Sequence, residues 1–335
     1  MTPLERALAS VDNANPYRAA TIRGMLAGYD KRYRDEQREI VVNGIEQQLY
    51  SALPRPDGSA CEAWRLCGVI DKTGPTSIVD HKTTAMEIER DDAAYWQMMD
   101  LDGQPSQYQL LMYANGVKVM KTVWDVSRKP TIRPKKPTKI QLRELAESGA
   151  YLGESLPKIQ MIEGDKETPA MFEIRVRQTI DADLDRYFKR RTVTRTNEEL
   201  AEYLNELYLI SREMMSTRDH GSHFRNPGSC FLYNTPCKFL GLCSGWDSPD
   251  SAKWEKKAIV HGELDLDYDG RDLLTNSRVK CYQACRRKHY YEYEEGIQRV
   301  DEEEREPLVF GTAWHLAMDA YWAACNEERL KEDEL

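Results

Sequence analysis

Two carboxylates and a lysine placed at the ends of short apolar runs are the groups in this chain best suited to chemistry. Gly68-Val69-Ile70-Asp71 leads into Lys72-Thr73-Gly74-Pro75-Thr76, and Ile78-Val79-Asp80-His81-Lys82-Thr83-Thr84 follows. The apolar runs from Trp64 to Ile70 and from Ser77 to Val79 around a Gly-Pro turn predict a β-hairpin. Side chains alternate along a strand, so Asp80 and Lys82 share one face and Val79 and His81 the other, while Asp71 on the paired strand can meet them. Two converging carboxylates, with the backbone carbonyl of His81 nearby, make an all-oxygen site that suits Mg²⁺ or Mn²⁺ better than zinc. The Lys82 ammonium could orient or help deprotonate a water and stabilise charge on a phosphorane, which is the chemistry of phosphodiester hydrolysis. A bare D-x-K, by contrast, occurs by chance in many proteins and then marks a surface hairpin with an Asp–Lys ion pair.

Elements of both kinds must position these groups. Helical patterns are predicted over Pro16 to Arg38, Ser106 to Ala114, Asn197 to Met215, Ser277 to Glu295 and Gly311 to Glu332. Lys129 to Lys139 is a Pro-rich basic loop, Gly221 to Gly245 a loop rich in Gly, Pro and Cys, and Ser248 to Gly270 a polar, acidic linker. No internal repeat is visible. The 335 residues allow one or two domains, and 41% apolar with 31% charged residues is a globular balance. The net charge of −9 does not exclude DNA as a partner. Acidic metal ligands account for part of it, and basic clusters at Arg133 to Lys139, Arg186 to Arg195 and Arg286 to His289 could line a DNA path or be solvated surface. No long apolar run and no secretory signal are seen, so a cytoplasmic protein with no membrane partner is expected. Eight cysteines in such a compartment point to metal rather than disulfides.

The arrangement G-x-x-D, turn, apolar-apolar-D-x-K-T resembles the central motifs of the PD-(D/E)xK nuclease superfamily, specifically its RecB-like branch. The resemblance implies a restriction-endonuclease-like α/β core, a central mixed sheet flanked by helices. It also implies a Q-x-x-x-Y helix beside the site, supplied by Gln109 and Tyr113, and a G-T-x-x-H helix, supplied by Phe310-Gly311-Thr312-Ala313-Trp314-His315. Asp71, Asp80, Lys82, Gln109 and Tyr113 would be catalytic, and His315, Asp71, Asp80 and the His81 carbonyl would hold the metal.

Cys230, Cys237 and Cys243 occur as C-x6-C-x5-C, and Cys285 opens Cys285-Arg286-Arg287-Lys288. These four resemble the iron–sulfur staple of AddB-like and CRISPR-associated exonucleases of the same branch, which implies a structural [4Fe–4S] cluster, with zinc as the lesser option. Cys281, one helical turn before Cys285, is the rival ligand. Cys61, Cys67 and Cys325 lack partners at metal spacing.

In that family the Cys-Arg-Lys and G-T-x-x-H helices come first; here they come last. The chain therefore reads as circularly permuted: residues 1–245 a nuclease core with hairpin and cysteine triplet, 246–270 a linker, and 271–335 the displaced opening helices of the same domain. That order places Leu335 near Met1. The expected function is a metal-dependent DNA exonuclease of recombination, repair or phage DNA processing, acting on single-stranded DNA or free ends. With no G-x-x-x-x-G-K-[ST] for a motor, a helicase or recombination partner would be another chain. A catalytically silent DNA-binding iron–sulfur scaffold and a zinc-stabilised nucleic-acid adaptor are the alternatives.

Overall fold

The structure, a computed structural model, describes residues 1–37, 40–156, 166–232, 235–262, 269–300 and 306–333. Six strands form one mixed sheet: β1 (Gly44–Pro54), β2 (Ala60–Thr73), β3 (Ser77–Thr84), β4 (Lys121–Arg128), β5 (Phe188–Val193) and β6 (Asp272–Leu274). The main path runs β1-β2-β3-β4-β5, with β6 beside β2. The helices that cover it are α1 (Pro3–Ser10), α2 (Pro16–Gln37), α3 (Gln104–Ala114), α4 (Pro169–Asp181), α5 (Asn197–Asp219), α6 (Asn276–Ala284) and α7 (Glu306–Asp333). This curled mixed sheet flanked by helices is consistent with a restriction-endonuclease-like fold.

β2 is the spine of the sheet. β1 follows it antiparallel from Gly44 opposite Thr73 to Pro54 opposite Ala60. The other edge of β2 is shared: Lys72 and Thr73 pair with Val79 and Ile78 of β3, while Trp64 to Leu66 pair in parallel with β6. Between these two pairings the edge of β2 is stitched by a side chain, since the Gln107 amide donates to the carbonyls of both Cys67 (2.9 Å) and Leu274 (3.0 Å). A buried carbonyl without a donor is costly, and the glutamine removes that cost. β3 thus separates from β2 just beyond Lys72, and the splayed edge is where Asp71 and Asp80 sit.

Each face of the sheet is closed by its own core. One joins α1, α2, α4 and α7 through Leu26, Tyr29, Val176, Ile180, Phe188, Trp314 and Trp322; the other joins α3, α5 and α6 through Trp64, Ile70, Ile78, Tyr108, Leu207 and Tyr282. Helix α2 begins at a proline, with the Asn15 side chain accepting from the Arg18 amide, and buries Ile22, Met25, Leu26, Tyr29 and Tyr33 at helical spacing. The C-terminal helix α7 is part of the same core. Its Tyr321 hydroxyl donates to Asp30 of α2 at 2.7 Å, and Glu327 pairs with Arg6 of α1 at 2.7 Å. Leu335 lies outside the described residues, while the helix leading towards it lies against α1.

Several elements differ from the sequence expectation. The helix expected over Ser277 to Glu295 is broken at Cys285, whose backbone is extended (φ −166°, ψ 116°), into α6, a short turn of helix at Arg286–His289 and a π turn at Tyr290–Glu294. The segment read as a linker carries a strand, Trp254–Lys256, paired with Ile297–Arg299, and buries Trp254 against Phe239 and Tyr291. Helix α4 and strands β1, β4 and β5 carried no distinct sequence signal, because their apolar positions are mixed with charges that find partners in the tertiary structure.

Gly68, the first residue of the G-x-x-D pattern, has a packing role: a Cβ there would lie 2.9 Å from the Tyr108 ring and 3.3 Å from Leu111. Its absence lets α3 lie close on β2. Gly68→Val should therefore lift α3 and cost about 1–3 kcal/mol, measured by urea unfolding; a variant as stable as the parent would refute this account of the helix seat.

Candidate active site

The expected hairpin residues converge. Asp71 and Asp80 are 7% and 1% exposed. Asp71 Oδ2 accepts from the backbone N–H of His81 at 2.6 Å, and Lys82 Nζ lies 2.5 Å from Asp80 Oδ2. From the far end of the chain, His315 Nδ1 comes within 3.5 Å of Asp71 Oδ2, and the imidazole hydrogen-bonds the His81 backbone. An imidazole N–H can only donate to a carbonyl, so the His81 carbonyl faces His315, while the His81 N–H faces Asp71.

Asp71 stands where its strand changes sides. Ile70 packs in the core under α3, whereas Lys72 places its ammonium 3.5 Å from the centre of the Trp322 ring in the core under α7. Residues two apart in a regular strand share a face, so β2 is twisted at Asp71. The partner strand is distorted at the same level. Ile45 is opposite Lys72 and Gln47 opposite Ile70, which sets Glu46 level with Asp71, and Glu46 has φ of 46°. A positive φ at a residue with a side chain is strained and concentrates at functional sites.

That strain delivers a residue that sequence reading missed. One oxygen each from Glu46 and Asp71 and a nitrogen of His315 all lie within 4.8 Å of one another. Asp319, one helical turn after His315 on α7, hydrogen-bonds Glu46. Partial burial and repulsion from Asp319, Asp71 and Asp80 raise the Glu46 carboxyl to about 8, and burial and Asp71 raise Asp319 to about 6. Burial and the neighbouring Asp71 push Asp80 up to about 6, against the attraction of Lys82; burial likewise raises Asp71. Burial opposes the charge on Lys82, yet Asp80 and Asp71 outweigh it and hold the ammonium above its ordinary value. Burial and Lys82 lower His315, which keeps its imidazole neutral. Four carboxyl groups in one place hold more negative charge than Lys82 balances, and a neutral imidazole completes the set. Oxygen-rich donors with an excess of negative charge suit a hard divalent cation.

The Q-x-x-x-Y pair that touches the site is not the one expected. Gln109 is buried and donates to the Thr122 hydroxyl (3.1 Å), one pleat away from the position opposite Asp80, and Tyr113 at the end of α3 is 39% exposed. Gln104 and Tyr108 have the same spacing on the first turns of α3. The Gln104 amide donates to Asp80 Oδ1 (3.2 Å) and to the Tyr108 hydroxyl (2.7 Å). The helix starts two residues earlier than its periodicity suggests, at Gln104 with Pro105 in its first turn, and that start brings Gln104 over the hairpin.

The cysteines gather away from these carboxylates. Cys230, Cys237, Cys243 and Cys285 line one small cavity with Asn226, Phe239, Leu240 and Lys288, and the Asn226 N–H points to Cys285 Sγ at 3.4 Å. Burial raises the Cys237 and Cys243 thiols, with Lys288 and Arg287 respectively opposing the rise. Cys281 is not among the lining residues, and burial pushes its thiol up to about 11. The helix break falls at Cys285, the residue that lines the cavity with the triplet, while Cys281 lies close enough to feel Cys237. Cys61 and Cys67 are buried on β2, and Cys325 is partly buried on α7.

No described helix is long and apolar enough to cross a membrane. No curated protein and no solved structure matches this chain. The family model described as the PD-(D/E)XK nuclease superfamily matches residues 274–335, the stretch that carries Cys285 and His315 and ends the chain, while Asp71, Asp80 and Lys82 lie outside it. Over those residues the match supports that superfamily and suggests a metal-dependent nuclease.

Proposed function

We propose that this protein is a Mg²⁺- or Mn²⁺-dependent DNA exonuclease of the RecB-like, AddB-like branch, acting on single strands or free ends in recombination, repair or phage DNA processing. The observation that carries the reading is the meeting of His315 with Asp71, Asp80 and Lys82, because residues so distant in sequence have no local reason to converge. In this reading residues 1–245 and 271–335 are one nuclease domain in permuted order, joined through 246–270. The seating of α7 on α1 and α2 supports it.

A divalent cation bound by Asp71, Asp80, His315, Glu46 and the His81 carbonyl would supply Lewis-acid polarisation of the scissile phosphate. The chain's own groups do the rest. Lys82 orients the attacking water and offsets charge that develops on the phosphate oxygens. Gln104 fixes the second oxygen of Asp80, with Tyr108 fixing Gln104. Gln109, on Thr122, holds the packing of α3 on the sheet, and Tyr113 remains open to solvent for contact with DNA.

The thiol cavity is assigned to an iron–sulfur cluster ahead of one zinc ion. Four soft thiolates lining one cavity suit either metal, and the likeness to the iron–sulfur staple of the RecB-like branch favours the cluster. Protein purified without oxygen should contain iron and sulfide, and Cys285→Ser should lose both while Cys281→Ser keeps them; stoichiometric zinc in colourless protein would reject the cluster.

End-labelled linear DNA and closed circular single strands provide the main test. The parent should degrade linear DNA and spare circles; Asp80→Ala should abolish cleavage and Lys82→Ala should lower it roughly 100- to 1000-fold with little change in Mn²⁺ affinity. Equal cleavage by parent and variants would reject the mechanism, and DNA binding without cleavage would leave a silent scaffold.

Cation binding must displace the protons that the crowded carboxyls carry. Glu46 and Asp319 are raised to about 8 and about 6, so Mn²⁺ affinity should climb steadily as pH rises through that interval and level off above it. Calorimetry in buffers of different ionisation heat would show the proton release; a flat affinity across the interval would contradict it.

A further inference from the structure

On the face of β3 and β4 away from Asp80, a second polar group is sealed from water. The Tyr29 hydroxyl donates to Asp125 Oδ2 at 2.5 Å, and Arg190 Nη2 lies 3.3 Å from the same oxygen and 3.0 Å from the Tyr29 hydroxyl. His81 Nδ1 comes to 3.5 Å from that oxygen without a hydrogen bond, so the neutral ring is packed against Asp125 and not bonded to it. Asp125 and Tyr29 are wholly buried and His81 almost so. Burying a carboxylate with its guanidinium seldom stabilises more than apolar packing of the same volume would. Stability is therefore a poor reason for this group, and its position supplies a better one.

The strand register sets Asp125 opposite His81. The His81 ring lies edge-on between Tyr29 (6.4 Å between centres) and His315 (6.3 Å). Its own peptide group is the one that meets Asp71 through N–H and His315 through the carbonyl side. Whatever fixes the His81 ring also fixes that peptide, and through it the separation of two candidate ligands that come from opposite ends of the chain.

We propose that Asp125, fixed by Tyr29 and Arg190, is a positioning group for the metal site: it packs against the His81 ring from the buried side, so that the His81 peptide holds Asp71 and His315 at liganding distance. This rests on the nuclease reading above. Outer partners of metal ligands commonly alter affinity by roughly 10–100-fold when changed, and an effect of that order is expected here.

The test uses the full chain and Mn²⁺ alone, titrated by calorimetry, then cleavage of linear DNA over a range of Mg²⁺. Asp125→Asn keeps the shape of the side chain, Tyr29→Phe removes only the hydroxyl, and Ile180→Ala weakens the same core without touching Asp125. Asp125→Asn should weaken Mn²⁺ binding about 10-fold or more and raise the Mg²⁺ needed for half-maximal cleavage in step, with KM for DNA unchanged. Tyr29→Phe should act in the same direction and less strongly, and Ile180→Ala should lower Tm without moving either metal measure. If Asp125→Asn lowers Tm as Ile180→Ala does and leaves metal affinity alone, the group is merely structural and the proposal falls. A parent that binds no Mn²⁺ overturns the nuclease reading and this proposal together, whereas binding that Asp71→Asn abolishes and Asp125→Asn leaves intact overturns this proposal only.

Discussion

Repulsion among carboxylates at one splayed end of a sheet is the constraint on which this structure turns. Glu46, Asp71, Asp80 and Asp319 face a common space, and each is raised above its ordinary range. Like charges gather in this way only when something else holds them or when a cation is to join them. The fold supplies the first condition through backbone and helix geometry, and the donor set supplies the second.

The geometry begins with β2. Its edge is divided between β3 and β6, Gln107 closes the gap between them, and the strand twists at Asp71 where its two neighbours enter different cores. Gly68 permits α3 to sit low enough for Gln104 to reach Asp80. Glu46 answers the twist from β1 with a left-handed backbone. A local departure from regular strand geometry thus becomes the means by which three strands contribute to one site.

The C-terminal helix makes the site depend on the whole fold. His315 and Asp319 are one turn apart on α7 and reach the carboxylates only because Trp314, Met318, Tyr321 and Trp322 bury the adjoining face against α2. The apolar and catalytic-type residues of α7 are interleaved at helical spacing, so packing the one set aims the other. Energy from burying these large side chains offsets the electrostatic cost of the cluster.

The hairpin residues Asp71, Asp80 and Lys82 and the cysteines Cys230, Cys237 and Cys243 were legible from residue type and spacing, as polar residues at the ends of apolar runs and cysteines in an irregular loop. His315 and Cys285 stood out only through the family resemblance, in the G-T-x-x-H and Cys-Arg-Lys patterns. Glu46 was not legible, because nothing about Gly44-Ile45-Glu46-Gln47 reveals a positive φ or the register that sets it level with Asp71. Nor was the choice between two Q-x-x-x-Y pairs on α3. Gln104 and Gln109 lie on different sides of one helix, and only its docking against Gly68 decides which meets the carboxylates. Residue type and spacing determine what chemistry a segment can offer; register, strand twist and helix seating are set by contacts between distant segments, and these decided which of the offered groups stand together.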